Sequence, residues 1–373
     1  MTSKKTETKK PLIILTAGGT GGHVYPAESL AEELLKRGYD LALVTDKRGK
    51  DNYKGRLGEI KNFSVLSGAL VGKSKWFKVK SLAKTMIGVL QSCYILIKNK
   101  PICVVGFGGY ASFPCSVAAI AMRKKLIIHE QNSVMSRTNR ILSKHAALIA
   151  QSFKDVKYTP KNIKTVLTGM PIRQSIINIK NREYPMTGKF QIAVLGGSQG
   201  AKIFGEVIPQ TIKKFDEATQ KNFIIYQQCR EQDQPDVEKA YEGVKSKVII
   251  SHFFNNMPEI YAKTNLMVSR AGASSVSEIL AVGIPSILVP LPIAADDHQT
   301  CNAKEVAEAK AGFVLQQKDF NIDNLFNIIT RLINNKKDLL TMAGNAKSLG
   351  ITDAAKRFAD AINAVIKQKN TED

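Results

Sequence analysis

Short, nearly unbroken apolar runs alternate along the chain with longer windows in which apolar positions return every three or four residues. The runs predict strands over 12–16, 41–45, 102–106 and 126–129, and again over 191–195, 223–227, 247–250, 266–269 and 286–290. The longer windows predict helices over 27–37, 77–97, 201–215, 276–281 and 300–311. Strands with no polar side belong in parallel sheets covered by helices on both faces, so the expected class is α/β.

One opening occurs twice. Leu12-Ile-Ile-Leu-Thr-Ala-Gly-Gly-Thr-Gly-Gly22 begins the first half, and Ile192-Ala-Val-Leu-Gly-Gly-Ser-Gln-Gly-Ala201 begins the second. Each reads as a strand, a glycine-rich turn and a helix, which predicts two Rossmann-like domains. A stretch over 168–189, with Pro171, Pro185, Gly188 and little apolar periodicity, joins them. The last segment, 352–367, predicts an amphipathic helix with Ala355, Phe358, Ala359, Ile362, Val365 and Ile366 on one side.

A length of 373 residues suits two domains, and 44% hydrophobic with 23% charged residues is a globular balance. The net charge of +22 is unevenly placed: residues 1–170 hold 29 basic and 10 acidic side chains, against 25 and 22 in 171–373. No acidic residue stands between Glu59 and Glu130, where 11 Lys or Arg do. Such a field favours an anionic partner. Five widely spaced cysteines with no C-x-x-C pair argue against a disulfide framework or zinc knuckle, for a reducing compartment, and for cysteine as buried packing. The first apolar run is too short for a signal peptide, and the one over 86–97 is broken by Gln91 and Ser92. A cytoplasmic protein with at most peripheral membrane contact is expected.

The first turn, Gly18-Gly19-Thr20-Gly21-Gly22-His23, can bring backbone close to a phosphate at a helix N-terminus. It fails the dinucleotide fingerprint, because the third glycine would fall at Val24. Gly72-Lys73-Ser74 fails as a P-loop, because position 67 is Ser67. His23 falls at the start of a helix that Pro26 would help initiate, a place that disfavours the imidazolium and suits a neutral base. In the second half, Ser269-Arg-Ala-Gly-Ala-Ser-Ser-Val-Ser-Glu278 follows a strand and enters a helix. Its small and hydroxyl residues suit a diphosphate, and Glu278 can accept from ribose hydroxyls; a solvated helix face is the plainer alternative for Glu278. Residues 290–303 add polar groups after the next strand. No cluster has metal-ligand spacing, so a leaving diphosphate would be met by helix dipoles and side chains such as Arg173.

Around residues 70–84, Trp76, Phe77, Val79 and Leu82 are interleaved with Lys73, Lys75, Lys78, Lys80 and Lys84. This fits docking at an anionic lipid interface. Nucleic-acid binding, or a surface helix with a buried apolar stripe, uses the same ingredients.

Seven of these pieces in order resemble the MurG family, the lipid II-forming peptidoglycan N-acetylglucosaminyltransferases of glycosyltransferase family 28. They are Gly18-Gly-Thr-Gly-Gly-His-Val-Tyr-Pro26, Gly106-Phe-Gly-Gly-Tyr110, His129-Glu-Gln-Asn132, Gly169-Met-Pro-Ile-Arg173, Gly196-Gly-Ser-Gln-Gly-Ala201, Ser269-Arg-Ala-Gly-Ala273 with Ser277-Glu278, and Asp297-His-Gln-Thr-Cys-Asn-Ala303. The resemblance implies the GT-B fold, with two Rossmann-like domains whose parallel sheets face across a cleft. Residues 1–170 would bind acceptor and membrane, 171–350 would bind UDP-GlcNAc, and a helix in 351–373 would cross back to the first domain.

The implied reaction is an inverting, metal-independent and cofactor-free transfer of GlcNAc from UDP-GlcNAc to the 4-hydroxyl of the muramyl sugar of lipid I. The donor would contact Thr20, Gly21, Gly22, Asn132, Arg173, Ser198, Phe254, Ala273, Ser274, Ser275, Val276, Ser277, Glu278 and Gln299. Glu278 would hold the ribose, and Gln299 with Asn132 the sugar. Phe254 stands where the family has an aliphatic residue, so its main chain is the expected contact. His23 matches the family's proposed general base, and Gly18 and Gly19 would cradle the acceptor's diphosphate. The membrane patch would be Trp76, Phe77, Val79 and Leu82 with Lys75, Lys78 and Lys80. The resemblance also implies a peripheral place on the cytoplasmic face of the inner membrane, with cell-wall and division proteins as possible partners.

Two rival readings remain. A UDP-sugar epimerase shares the double Rossmann architecture and needs no lipid patch. A basic nucleic-acid binder is opposed by the nearly neutral second half and by the lack of a recognition motif.

Overall fold

The structure is a computed structural model that describes residues 10–18, 21–47, 55–68, 75–197 and 200–368, the side chain of Lys75 apart. Among the described residues, thirteen strands pair only in parallel and form two sheets. In the first, β1 (Leu12–Thr16), β2 (Asp40–Thr45), β3 (Lys61–Ser64), β4 (Cys103–Gly106), β5 (Lys125–Glu130), β6 (Leu148–Gln151) and β7 (Thr165–Leu167) lie in the order 3-2-1-4-5-6-7. In the second, β8 (Phe190–Leu195), β9 (Phe223–Gln228), β10 (Lys247–Ser251), β11 (Leu266–Ser269), β12 (Ser286–Leu288) and β13 (Gly312–Val314) lie in the order 10-9-8-11-12-13. Six helices bear on the chemistry: α1 (Gly21–Lys36), α2 (Lys75–Asn99), α3 (Met257–Lys263), α4 (Ala273–Val282), α5 (His298–Glu308) and α6 (Ala354–Lys367).

The chain divides into two compact units. The first takes residues 1–131, 135–171 and 353–373, and the second takes 132–134 and 172–352. Each has the doubly wound α/β form that the alternating pattern predicted. In the first sheet Ile13 pairs with Leu41 on one side and Cys103 on the other. Ile192 of the second pairs likewise with Ile225 and Leu266. Apart from Leu12 and Phe190 at their starts, these central strands are buried, which is why they read as unbroken apolar runs.

The sequence reading missed β3, β6, β7 and β13. Three of these are sheet edges, where one flank has no partner strand and a Lys-Asn-Phe-Ser segment is tolerated. Beginning at Gly21 rather than at 27, α1 puts Pro26 at its sixth position, not in the first turn. The proline cannot donate to the carbonyl of Gly22, a loss tolerable where Gly22 is exposed to solvent.

The expected linker is largely structured. Tyr184 donates to the Asn265 carbonyl at 3.0 Å, and Arg182 Nη1 donates to the Ala262 and Thr264 carbonyls at 2.9 and 3.1 Å. The final helix α6 packs on the first unit. Phe358, Ala359, Ile362 and Val365 join Leu30, Leu34 and Leu148 in one core. Ala354 is the buried residue at its start, where Ala355 was expected. Three cysteines (Cys103, Cys115, Cys229) are buried, whereas Cys93 and Cys301 keep partial exposure.

Candidate active site

In an open parallel sheet, ligands collect where the strand order reverses, because neighbouring connections there leave to opposite faces and open a crevice at the strands' C-terminal ends. The reversal falls between β1 and β4 in the first unit, and between β8 and β11 in the second. Both glycine-rich turns and the turn into α4 start from those strand ends.

In the first unit, the turn after β4 supplies Gly108 and Gly109, both left-handed with φ of 79° and 77°. A Cβ on Gly109 would lie 3.5 Å from His23 Cε1, and one on Gly18 or Gly108 3.7 Å from a ring nitrogen. Those are ordinary contact distances, so the left-handed backbone, not space, calls for glycine at 108 and 109, and both turns pack on the His23 ring. Among the described residues, a Cβ on Gly22 would meet nothing within 4 Å. His23 keeps partial surface exposure, but the protein packed around it desolvates the imidazolium and lowers its pKa to about 4. The ring is therefore neutral at pH 7.

Behind His23, Gln131 Nε2 donates to the Phe107 carbonyl at 2.6 Å. Asn139 Nδ2 donates to Glu130 Oε2 at 2.8 Å and to the His129 carbonyl at 3.1 Å. These buried amides hold the β4 turn and the end of β5 in place. They carry no sequence signal beyond the His129–Asn132 motif. Thr20 and Gly19 lie outside the described residues, as does Ser198 in the second unit.

In the second unit, α4 is capped by Gly272, which is extended and has no side chain to occupy the helix N-terminus. A Cβ there would meet nothing within 4 Å among the described residues. Ser274 Oγ is buried without a hydrogen-bond partner among the described residues. Ser275 and Ser277 are half-buried beside it, whereas Ala273 and Val276 are buried and Val276 turns its side chain into the core. Glu278 is also buried, which excludes the solvated-face alternative. Its Oε1 accepts from Arg173 Nε at 2.9 Å, and its Oε2 from Arg173 Nη2 at 3.0 Å and from the Tyr261 hydroxyl at 3.1 Å. Burial raises its pKa, opposed by Arg173 and by both sets of hydrogen bonds.

Gln299, at the start of α5, uses Oε1 to accept from the Ala271 and Leu291 amides at 3.2 and 3.0 Å. Its NH₂ is thus the end that can address a ligand. Asn302 joins Ser133 N, Asn132 Oδ1 and the Ala271 carbonyl through bonds of 2.8, 3.1 and 3.1 Å. Arg270 spans from the Val289 and Pro290 carbonyls to Gln317 Oε1 at 2.7 Å. The Phe254 ring is buried edge-on against Tyr226, with centroids 5.7 Å apart, and so is turned into the protein. Neighbouring Phe253 is half exposed instead, a reversal the sequence does not signal.

Helix α2 is inverted. Its inner face carries Ser81, Thr85, Gly88 and Ser92, all buried, with Thr85 and Ser92 bonded back to the Ser81 and Gly88 carbonyls. A Cβ on Gly88 would collide with the Leu66 carbonyl, so only glycine allows that approach. Trp76 (82% exposed), Phe77, Val79 and Leu82 face outward with Lys78 and Lys80. The stripe is not buried, and it runs further than the sequence reading had it, through Met86, Leu90 (70%), Tyr94 and Ile97. Among the described residues no helix is long and apolar enough to cross a membrane. No group of three or more His, Cys, Asp or Glu among them could hold a metal ion.

Two family models match the chain: the glycosyltransferase family 28 N-terminal domain over residues 13–151 and the C-terminal domain over 191–358. The UDP-N-acetylglucosamine–N-acetylmuramyl-(pentapeptide) pyrophosphoryl-undecaprenol N-acetylglucosamine transferase of Paramagnetospirillum magneticum is 41% identical, over 97% of this chain and 99% of its own. The enzyme of the same description from Rhodospirillum centenum is 40% identical over 94% and 93%. Among solved structures, MurG of Acinetobacter baumannii superposes with a TM-score of 0.78 at 27% identity, covering 95% and 99%. A UDP-GlcNAc 2-epimerase from Neisseria meningitidis, bound to UDP-GlcNAc, reaches 0.66 at 15% identity, a likeness of fold alone.

Proposed function

The chain belongs to glycosyltransferase family 28, and from that premise we propose that it transfers GlcNAc from UDP-GlcNAc to the 4-hydroxyl of MurNAc in undecaprenyl-pyrophosphoryl-MurNAc-pentapeptide. The product is lipid II, formed with inversion at the anomeric carbon and without a metal. The observation that carries the reading is the pairing of two different chemistries with two equivalent positions. A neutral histidine stands at the strand-order reversal of one unit, and an uncapped helix N-terminus with a buried carboxylate stands at that of the other.

In the second unit, Ser274, Ser275, Ser277 and the first amides of α4 receive the donor's diphosphate, whose charge the helix dipole favours. Glu278 accepts from the ribose hydroxyls, the main chain at Phe254 meets the uracil, and the Gln299 amide donates to the sugar while Asn132 borders it. Arg173 neutralises the diphosphate as it leaves. In the first unit, the turn that begins at Gly18 receives the acceptor's diphosphate, and His23 removes the proton from the attacking hydroxyl.

A base with a pKa of about 4 is weak by itself. Two acceptor phosphates nearby stabilise its imidazolium and move that pKa up towards neutrality. Proton removal then contributes about 10²–10⁴-fold, with orientation and charge stabilisation supplying the rest. The acceptor is lipid-linked, and the apolar, lysine-flanked face of α2 meets the anionic inner surface of the plasma membrane, so that the protein is peripheral there.

The test is transfer of radiolabelled GlcNAc to a lipid I analogue with chelator present, alongside a control with UDP-GlcNAc alone. Acceptor-dependent labelled product, undiminished by chelator, is expected. Epimerised sugar in the control, without transfer, would establish the epimerase reading instead.

A further inference from the structure

Tyr261 belongs to none of the motifs from which the site was read. It lies on α3, 2% exposed, and its hydroxyl donates to Glu278 Oε2 at 3.1 Å. A carboxylate accepts about four hydrogen bonds, two at each oxygen. Oε2 accepts from both Tyr261 and Arg173 Nη2, whereas Oε1 faces Arg173 alone among these partners, 2.9 Å from its Nε and from its Nη2. The two donors differ in kind. The Arg173 side chain retains 27% exposure at the end of a flexible stem, but the Tyr261 ring is enclosed in the core. Only Arg173 can leave the carboxylate without repacking the interior.

The spacing of the two helices is itself fixed. Arg182 Nη1 binds the Ala262 and Thr264 carbonyls at the end of α3, and its Nη2 reaches the Gly283 carbonyl at the end of α4 at 3.4 Å. The phenol is therefore held at one distance from Glu278.

We infer that Tyr261 is a positioning residue for nucleotide recognition, holding Oε2 of Glu278 from within so that Oε1 is presented to the vicinal hydroxyls of a ribose. The inference rests on the reading of Glu278 as the ribose acceptor and adds the residue that aims it. Its consequence is selectivity: the hydroxyl of Tyr261 supports binding of a ribonucleotide more than that of a nucleotide lacking those hydroxyls.

The test is calorimetric binding of UDP and of 2′,3′-dideoxy-UDP to the full-length protein. The unaltered protein should prefer UDP. Tyr261→Phe should cut that preference about five- to tenfold while changing the dideoxy affinity less than about twofold. Para-aminophenylalanine at 261, which keeps the ring and restores a donor, should return most of the preference. It also decides the matter if Tyr261→Phe folds poorly. An unchanged preference in Tyr261→Phe overturns the inference, as does equal weakening of both nucleotides, or a failed rescue in a folded amino variant. Equal binding of the two nucleotides by the unaltered protein overturns the ribose reading of Glu278, and the inference with it.

Discussion

The imidazole of His129 stacks on the ring of Phe358, with centroids 5.2 Å apart and planes 26° from parallel. Phe107 closes the cluster, 5.5 Å from His129 and 6.1 Å from Phe358. The last helix of the chain is thereby bound to the ends of β4 and β5, the same ends from which Gln131 fixes the turn behind His23. Removing that ring leaves a cavity under the turn. Phe358→Ala should cost about 3–5 kcal/mol in stability. Denaturant unfolding followed by circular dichroism measures it, and a loss below about 1 kcal/mol would mean that α6 is not a working part of this core.

Burial lowers the His129 pKa to about 3, far below the ordinary 6.5. Between those values the unfolded chain holds a proton at this position that the folded chain does not. Stability therefore falls as pH drops through this window, and the contribution is fully retained above about 6.5. His129→Phe removes the titration. The difference in stability between the two proteins should move in favour of the variant as pH goes from 7 to 4. A pH-independent difference would contradict the burial argument.

With His23 as the proposed neutral base, activity should be lost where the ring becomes protonated. The acid limb of kcat/KM should lie near pH 4 if no other group intervenes, and that of kcat should lie higher, since the bound acceptor's charge stabilises the imidazolium. His23→Ala should lower kcat about 10²–10⁴-fold with donor affinity kept within about twofold. Full turnover in that variant would remove His23 as the base.

Glu278→Ala tests the proposed donor half of the reaction. It removes a buried acceptor held by Arg173 and Tyr261, so on the ribose reading KM for UDP-GlcNAc should rise about tenfold or more while kcat changes less. A fall in kcat at unchanged KM would place the residue in chemistry instead of binding.

The outward stripe of α2 predicts that membrane binding is spread along the helix. Replacing Trp76 and Phe77 by Ser should reduce partitioning to anionic vesicles, and replacing Leu90 and Tyr94 by Ser should reduce it further. Each large apolar side chain withdrawn from water contributes about 1.5–3 kcal/mol, so either pair is measurable by sedimentation. Unchanged partitioning in both pairs would discard this face.

Much of this organisation is legible in the residues alone, and for a physical reason. Central parallel strands such as β1 and β8 are apolar on both faces, so their runs and the glycine turns that follow stand out. Residues 61–64 and 165–167 sit at sheet edges and lose that signature. Glu278, Arg173 and Gln299 could be named from motifs, but their partners could not. Tyr261 is 17 positions from Glu278 in sequence and reaches it only once α3 and α4 are packed. The inverted face of α2 was equally hidden: apolar spacing marks a stripe without saying whether it turns inward, and the Gly88–Leu66 approach decides that.

The most direct test of the whole account is diffraction from crystals soaked with UDP-GlcNAc. Electron density for the diphosphate against the first turn of α4, with the ribose beside Glu278, is the predicted result. Donor density at the Gly18–His23 turn, or an empty second unit at saturating nucleotide, would contradict it.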